Sequence, residues 1–185
     1  MHPVLQVLEK IDLSMAFRVL ELNRYPVLPN LTSLILHDTT LPPRFETYLG
    51  RICPRLAKMS MWNIDCSEAH MRLTYRERLW KAFLPCLTDV NFSDRRYRSE
   101  DVLECLAGLA LTRLVLNYSK GFFTVDKNWQ GWLHQVTEFS STLIHLDTGE
   151  SLPPKVTLVV SERLPHLTHL YVGNQLVFSR SLSPL

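Results

Sequence analysis

Histidine and cysteine are the side chains of this sequence that could most directly do chemistry. His166 and His169, in the segment HLTH, come nearest to a metal-binding pair. Residues three apart on a strand point to opposite faces, so one zinc ion could not easily use both imidazoles. The four cysteines, which form no C-x-x-C pair, are Cys53, Cys66, Cys86 and Cys105. This spacing favours buried free thiols, and we expect neither a metal nor a cofactor.

The sequence motifs of the common enzyme classes are missing as well. The six glycines are scattered singly, so none forms a phosphate-binding loop. No G-x-S-x-G turn, H-E-x-x-H helix or calcium-binding loop occurs. These absences predict a protein that is not an enzyme.

Charge and hydropathy limit the choice of partner and compartment. The 185 residues carry a net charge of +2, and their longest basic run, RRYR at 95–98, is typical of a solvated turn. We therefore expect no nucleic-acid partner. No apolar run approaches the roughly 20 residues that cross a bilayer, and Glu9, Lys10 and Asp12 interrupt any signal-like segment. The sequence predicts no membrane association and a cytoplasmic or nuclear location.

A leucine-spaced segment recurs along the chain and must position whatever surface does the work. The template L-x-x-L-x-L, with apolar substitutes, begins at Leu31, Leu56, Leu87, Leu111, Leu143 and Leu167. The last apolar position of the fifth copy is taken by Thr148. Helix-like segments separate the copies, for example SEDVLECLAG at 99–108 and DKNWQGWLHQVTEF at 126–139. Such spacing is the signature of a stacked repeat.

This pattern resembles the leucine-rich repeat family over roughly residues 28–176. The resemblance implies an α/β solenoid of about six strand–helix units, with a concave parallel sheet and helices on the convex side. The alternative is a set of ordinary amphipathic strands in an α/β sandwich. We predict a repeat domain at 28–178, an N-terminal helical cap at 1–27 in which Ser14 caps the helix, and a tail at 179–185.

Two stretches of sixteen residues support the repeat. LPPRFETYLGRICPRL begins at Leu41 and LPPKVTLVVSERLPHL at Leu152. In each, the early proline pair predicts the start of a helix, and the late proline, Pro54 or Pro165, predicts its end. Both stretches are interpreted as the same step from one strand to the next.

The Cys53-Pro54 pair resembles the cysteine-containing repeat subtype found in F-box and related substrate receptors of ubiquitin ligases. The other copies lack this cysteine, and no F-box is evident at the N-terminus. The resemblance implies an interaction module whose partner is a protein or peptide, within a larger complex. Two alternatives stay open: a regulator of a GTPase or nuclease acting through the loop 93–101, and a structural subunit using its convex helices, with 72–80 as the contact.

The side chains that alternate with the buried leucines should line the concave face. Aromatic side chains on a rigid sheet are typical of protein-binding hot spots, so Trp62 and Tyr171 are the leading candidates. The predicted partner-binding residues are Trp62, Tyr171, Arg113, Asp89, His37, Ile35, Lys58, His145, Asp147 and His169. In an alternative interpretation, Trp62 merely covers the sheet edge beside a long inserted loop. Trp129 and Trp132, at helical spacing, are predicted to belong to the core.

Overall fold

A computed structural model describes residues 10–14, 26–65, 79–93, 99–117, 129–139, 141–149, 152–173 and 175–179. Strands and helices alternate along these ranges. The strands are β1 (Lys10–Ser14), β2 (Ser33–His37), β3 (Lys58–Trp62), β4 (Asp89–Ser93), β5 (Arg113–Leu116), β6 (His145–Asp147), β7 (His169–Val172) and β8 (Gln175–Ser179). The helices are α1 (Phe45–Ile52), α2 (Leu79–Phe83), α3 (Ser99–Leu106), α4 (Trp129–Thr137) and α5 (Pro154–Arg163).

All eight strands form one open sheet whose spatial order follows the chain order. β1 to β7 are parallel, and β8 returns antiparallel to β7. Crossovers between parallel strands are nearly always right-handed, so a sheet built in this order has its helices on one side. The α/β class and the mainly parallel sheet agree with the prediction.

The helices cover one face of the sheet and bury alternate apolar side chains of β2 to β7. Alternate strand residues, such as Leu34 and Leu36 or Met59 and Met61, lie in one core cluster with α1 side chains such as Phe45. The residues between them stay partly exposed. This alternation is the period-2 pattern of a sheet packed on one side only. We call the uncovered side the open face.

The prolines of the paired stretches lie where the sequence predicts. Pro154 is the first residue of α5, where its missing N–H costs nothing and its fixed φ suits the helix. Pro54 and Pro165 each lie two residues beyond a helix end. α1 differs at its start, because Arg44, with φ 60°, forms the N-cap in a left-handed conformation.

Tryptophan and cysteine burial follows most of the expectations. Trp132 is buried and Trp129 packs against the edge of the core, as predicted. Cys53 is buried at the end of α1, and burial raises the pKa of its thiol to about 12. Its sulfur is therefore an apolar filler and not a nucleophile. Cys86 departs from the expectation of buried thiols, because it lies exposed in the turn after α2.

Just before β4, β5 and β7 begin, a threonine bonds to the preceding strand–helix unit. The carbonyl oxygens of Ala57, Thr88 and Ile144 each accept two backbone N–H groups from the next unit. Each also accepts a threonine hydroxyl, from Thr88, Thr112 and Thr168, at 3.4, 3.2 and 3.1 Å respectively. This explains why threonine so often follows the first leucine of the template. Its hydroxyl adds a third donor to a carbonyl oxygen of the preceding unit.

Both ends of the sheet differ from the expectation. The N-terminal cap was predicted as helical, but Lys10–Ser14 form a strand that pairs in register with β2. Ser14 is the last residue of this strand, and the predicted helix after it falls on residues outside the described ranges. At the other end, Gln175–Ser179 form the antiparallel strand β8, which includes the first residue of the tail predicted at 179–185, and the rest of that tail falls outside the described ranges. Within the described ranges, no helix is long and apolar enough to span a bilayer.

Candidate functional site

The strand register arranges the side chains of the open face in three rows that cross the strands. The first row contains Ser33, Lys58, Asp89, Arg113, His145 and His169. The second contains Ile35, Ser60, Asn91, Val115, Asp147 and Tyr171. The third begins with His37, Trp62 and Ser93. All ten predicted partner-binding residues therefore lie on this face.

An aromatic pair stands at the β2–β3 end of the open face. The rings of His37 and Trp62 meet edge to face, with centroids 4.2 Å apart. Trp62 remains 38% exposed. The contact with His37 restrains the indole while leaving much of its surface accessible. A large, held and exposed aromatic ring is the kind of side chain on which protein interfaces depend.

An ion pair occupies the middle of the face. Arg113 Nη1 donates to Asp89 Oδ1 across 3.0 Å, with both residues on adjacent strands of the first row. The side chains are 42% and 22% exposed, so solvent screens the pair and it contributes about 0.2–1 kcal/mol. Its main effect is to fix the direction of the guanidinium.

Three rings from two neighbouring strands form a cluster near the other end, which we call the His145 cluster: His145, His169 and Tyr171. The imidazoles of His145 and His169 are stacked, with centroids 5.9 Å apart and planes inclined by 27°. The ring of Tyr171 lies 5.1 Å from that of His145. His145 therefore contacts both open-face rings of β7, those of His169 and Tyr171.

The surroundings of His145 oppose its protonation. Burial is the largest cause that lowers its pKa below the ordinary 6.5, followed by the positive charge of Arg113, with a smaller effect of the same sign from His169. Asp147 and Asp89 act in the opposite direction but do not outweigh these effects. These surroundings favour the neutral form of His145 near pH 7.

Thr168 contacts the ring of His169. Its hydroxyl Oγ1 donates to the carbonyl oxygen of Ile144 at 3.1 Å and lies 2.7 Å from His169 Nδ1. Oγ1 and Nδ1 are within hydrogen-bond distance, and this contact holds the His169 ring in place.

Two positions of the second row are less accessible than the alternation predicts. Val115 was expected to be exposed but is only 3% exposed, and it lies outside the helix-side core. It is flanked on its two neighbouring strands by Asn91 and Asp147. The side-chain oxygen of Asn91 is also buried, without a hydrogen-bond partner. The centre of the face is therefore closed to a deep ligand.

A pH dependence of stability follows from His145. Its pKa is lowered on folding, so the folded state binds fewer protons than the unfolded state as the pH falls through 6.5. We expect the free energy of unfolding to be highest above this value and to fall toward about pH 5. His145→Gln should flatten this decrease, as measured by urea unfolding at a series of pH values.

His166→Gln is the matched control, because His166 is exposed in the turn after α5. This variant should keep the wild-type decrease in stability. Parallel pH profiles for wild type and His145→Gln would contradict the assigned role of His145.

Within the described ranges, no cluster of metal-binding side chains competes with the open face, and two cavities lie on the helix side of the sheet. The described residues hold no group of three or more metal-binding side chains. An apolar cavity of about 10 Å³ beneath Met61 and Phe92 has room for at most one water molecule. A larger groove of about 470 Å³ lies on the helix side, between α1 and the end of α2, and is lined by Tyr48, Arg51 and Phe83 among others.

The sequence prediction placed the residues of the face correctly but not their grouping. His37 contacts Trp62, Asp89 binds Arg113, and His145 packs against both His169 and Tyr171. Trp62 and Tyr171, in contrast, lie four strands apart, which is roughly 19 Å at ordinary strand spacing.

Two contributors to the face were not predicted. Leu176 of β8 pairs with Tyr171 and is 51% exposed, and Thr168 orients His169 from the sheet edge. The signal for β8 was the Gly173-Asn174 pair, a two-residue turn between apolar segments.

Comparison of the chain with protein-family models, curated proteins and solved structures found no significant match.

Proposed function

We propose that this protein is a non-catalytic interaction module of the leucine-rich-repeat type, which binds a protein or peptide on the open face. The observation that carries this proposal is the one-sided sheet: helices cover one face, while the other displays Trp62 and Tyr171 among polar side chains. A face held by backbone pairing over eight strands loses little conformational freedom on binding.

The dimensions of the face favour an extended or shallow partner surface. Trp62 on β3 and Tyr171 on β7 stand at opposite ends, with the Asp89–Arg113 ion pair between them. An extended peptide of about six residues would cover this span at 3.3 Å per residue. The buried state of Val115 means that such a partner would lie across the face and not insert into it.

The aromatic and the charged side chains would contribute to partner recognition in different ways. Trp62 offers apolar area with a fixed orientation, since His37 holds its ring. Arg113 offers directed hydrogen-bond donors, because Asp89 holds its guanidinium. Apolar anchors would supply most of the binding free energy, and the ion pair would select the partner by charge.

The experiment is alanine substitution at the two ends of the face, followed by partner capture. Partners are cross-linked to the wild-type protein in native extract, identified, and measured individually against purified variants. Trp62→Ala and Tyr171→Ala should each weaken binding by about 2 kcal/mol, or roughly thirtyfold, if each is an anchor. Circular dichroism should show an unchanged fold.

Phe83→Ala is the matched control, since Phe83 is an equally exposed aromatic residue on the helix side. Its removal should leave binding unchanged. A partner whose affinity survives both open-face substitutions would refute the proposal. If only Tyr171 matters, the alternative that Trp62 merely covers the sheet edge is correct.

A substrate receptor of a ubiquitin ligase is the sharper form of this proposal. It rests on the likeness of the Cys53-Pro54 helix end to the cysteine-containing repeats, and Cys53 is buried there as that subtype requires. Recovery of a cullin or its adaptor among the cross-linked proteins would support it, and partners without either would argue against it.

A structural subunit that docks through its helices is the second candidate. The groove between α1 and α2 favours it, because Phe83 is exposed there and the Arg51 guanidinium lies 5.7 Å from the Tyr48 ring centroid. In that case Phe83→Ala would lose the partner and Trp62→Ala would keep it. The proposed contact at 72–80 and the regulatory loop at 93–101 lie mostly outside the described residues.

A further inference from the structure

The first row of the open face carries four basic side chains, Lys58, Arg113, His145 and His169, but a single carboxylate, that of Asp89. Asp89 Oδ1 accepts from Arg113, and Asp147 Oδ1 accepts from the backbone N–H of Gly149 at 2.9 Å. A guanidinium has five N–H donors, and the contact with Asp89 uses one at Nη1. Lys58 is exposed in the same row. A partner group that supplies acceptors therefore fits this face better than one that supplies donors.

Proton uptake adds one N–H donor to each imidazole of the His145 cluster. Thr168 Oγ1 lies 2.7 Å from Nδ1 of His169, and the protonated ring has an N–H group at both nitrogens. Protonated His145 would likewise have two N–H groups. Since both imidazoles belong to the first row, as Arg113 does, a nearby carboxylate could accept from charged imidazole and guanidinium groups together.

We infer that the His145 cluster and Arg113 bind a carboxylate-bearing segment of the partner, and that this binding is coupled to proton uptake by the cluster. The inference rests on the proposed function of the open face and names the chemistry of its partner. Aspartate or glutamate side chains in an extended peptide are the ligand class.

The coupling follows from the charges that face His145. Arg113 on β5 and His169 on β7 disfavour its charged form, whereas Asp147 on its own strand and Asp89 on β4 favour it, and Tyr171 contributes a neutral ring. The repulsive effects and burial prevail in the free protein, which keeps His145 neutral near pH 7. A bound carboxylate adds a negative charge that reverses the balance, so binding and protonation favour each other.

The test uses a capped hexaglutamate peptide as the probe and the histidine Cε1–H signals in NMR as the readout. Hexaglutamate should shift the signals of His145 and His169 in a saturable manner. Its dissociation constant should fall about three- to tenfold between pH 7.5 and pH 5.5, since one pKa unit corresponds to a factor of ten. A capped hexalysine peptide should produce no saturable shift at either pH.

The double variant His145→Gln/His169→Gln should lose the pH dependence of binding. His134→Gln/His166→Gln is its matched control, because it removes two exposed histidines away from the open face and lowers the charge of the protein equally at low pH. Thr168→Val should weaken the pH dependence by releasing the His169 ring.

Three outcomes would overturn the inference: no saturable shift with hexaglutamate at either pH, a dissociation constant independent of pH, or the same loss in both double variants. Each is distinguishable from failure of the proposed function. A partner that needs Trp62 and Tyr171 but binds through a basic or uncharged segment would leave the proposed function standing and remove only the carboxylate partner.

Discussion

Gly50→Ala should lower the free energy of unfolding by about 3 kcal/mol, although alanine is the better helix former by about 1 kcal/mol. Gly50 lies in α1, where it faces Phe83 at the end of α2. A Cβ atom added there would lie 2.8 Å from Phe83 Cβ and 2.9 Å from its carbonyl carbon. Backbone cannot move aside as a flexible side chain can, so the helices must separate. Urea denaturation measures the loss.

Thr47→Ala is the control for the helix itself, since Thr47 lies one turn earlier in α1 and lines the same groove. That change should leave the stability nearly unchanged or raise it slightly, as helix propensity requires. A Gly50→Ala protein as stable as the wild type would show that α1 and α2 pack less closely than the structure indicates. Because the substitution lies on the helix side, partner binding by the folded fraction should be retained.

Trp132→Ala should cost about 3–5 kcal/mol, the usual range for removal of a large aromatic side chain from a core. Trp132 is buried in α4, the helix that connects β5, which carries Arg113, to β6, which carries His145. Its loss leaves a cavity beneath the middle of the sheet, which neighbouring helices can fill only in part. Thermal and urea unfolding should both report the change.

Trp129→Ala provides a control of the same residue type in the same helix. Trp129 only packs against the edge of the core, so its removal should cost about 1–2 kcal/mol. Equal losses at the two positions would contradict the difference in burial. The two variants also test whether these tryptophans are core residues. If they are, neither variant should weaken the binding of a partner to the open face.

The leucine template was enough to predict the strands and the rows of the open face from β2 to β7. Alternation fixes which side chains share a face, and the observed pairing of Leu34 with Met59 and of Met59 with Val90 continues the aligned template. A shift by one residue would bury polar side chains, so the register was strongly determined. The degenerate fifth copy fits because Thr148 is buried with its hydroxyl toward the carbonyl oxygen of Tyr171.

The ends of the sheet were harder to predict, but both left a signal in the sequence. LEKIDL, beginning at Leu8, matches the template 23 residues before Leu31, and Ile11 indeed pairs with Leu34. Alternating charges at Glu9, Lys10 and Asp12 made this segment look polar. β8 has no template at all, and only the glycine-containing turn before it indicates a hairpin.

Side-chain grouping could not be read from the repeat, because it depends on rotamers and on second partners. Nothing in the spacing indicates that His145 packs against both His169 and Tyr171, or that Asp89 holds Arg113. The exposure of Cys86 follows equally from its place in a turn, which the pattern of leucines does not specify.

Each strand of the sheet pairs only with the strands before and after it in the chain. Trp62 on β3 and Tyr171 on β7 therefore have no shared neighbour through which a disturbance at one could reach the other. Substitutions at sites so far apart usually have additive energetic effects. The two ends of the proposed binding face can accordingly diverge separately, so that a substitution at the tryptophan leaves the His145 cluster as it was.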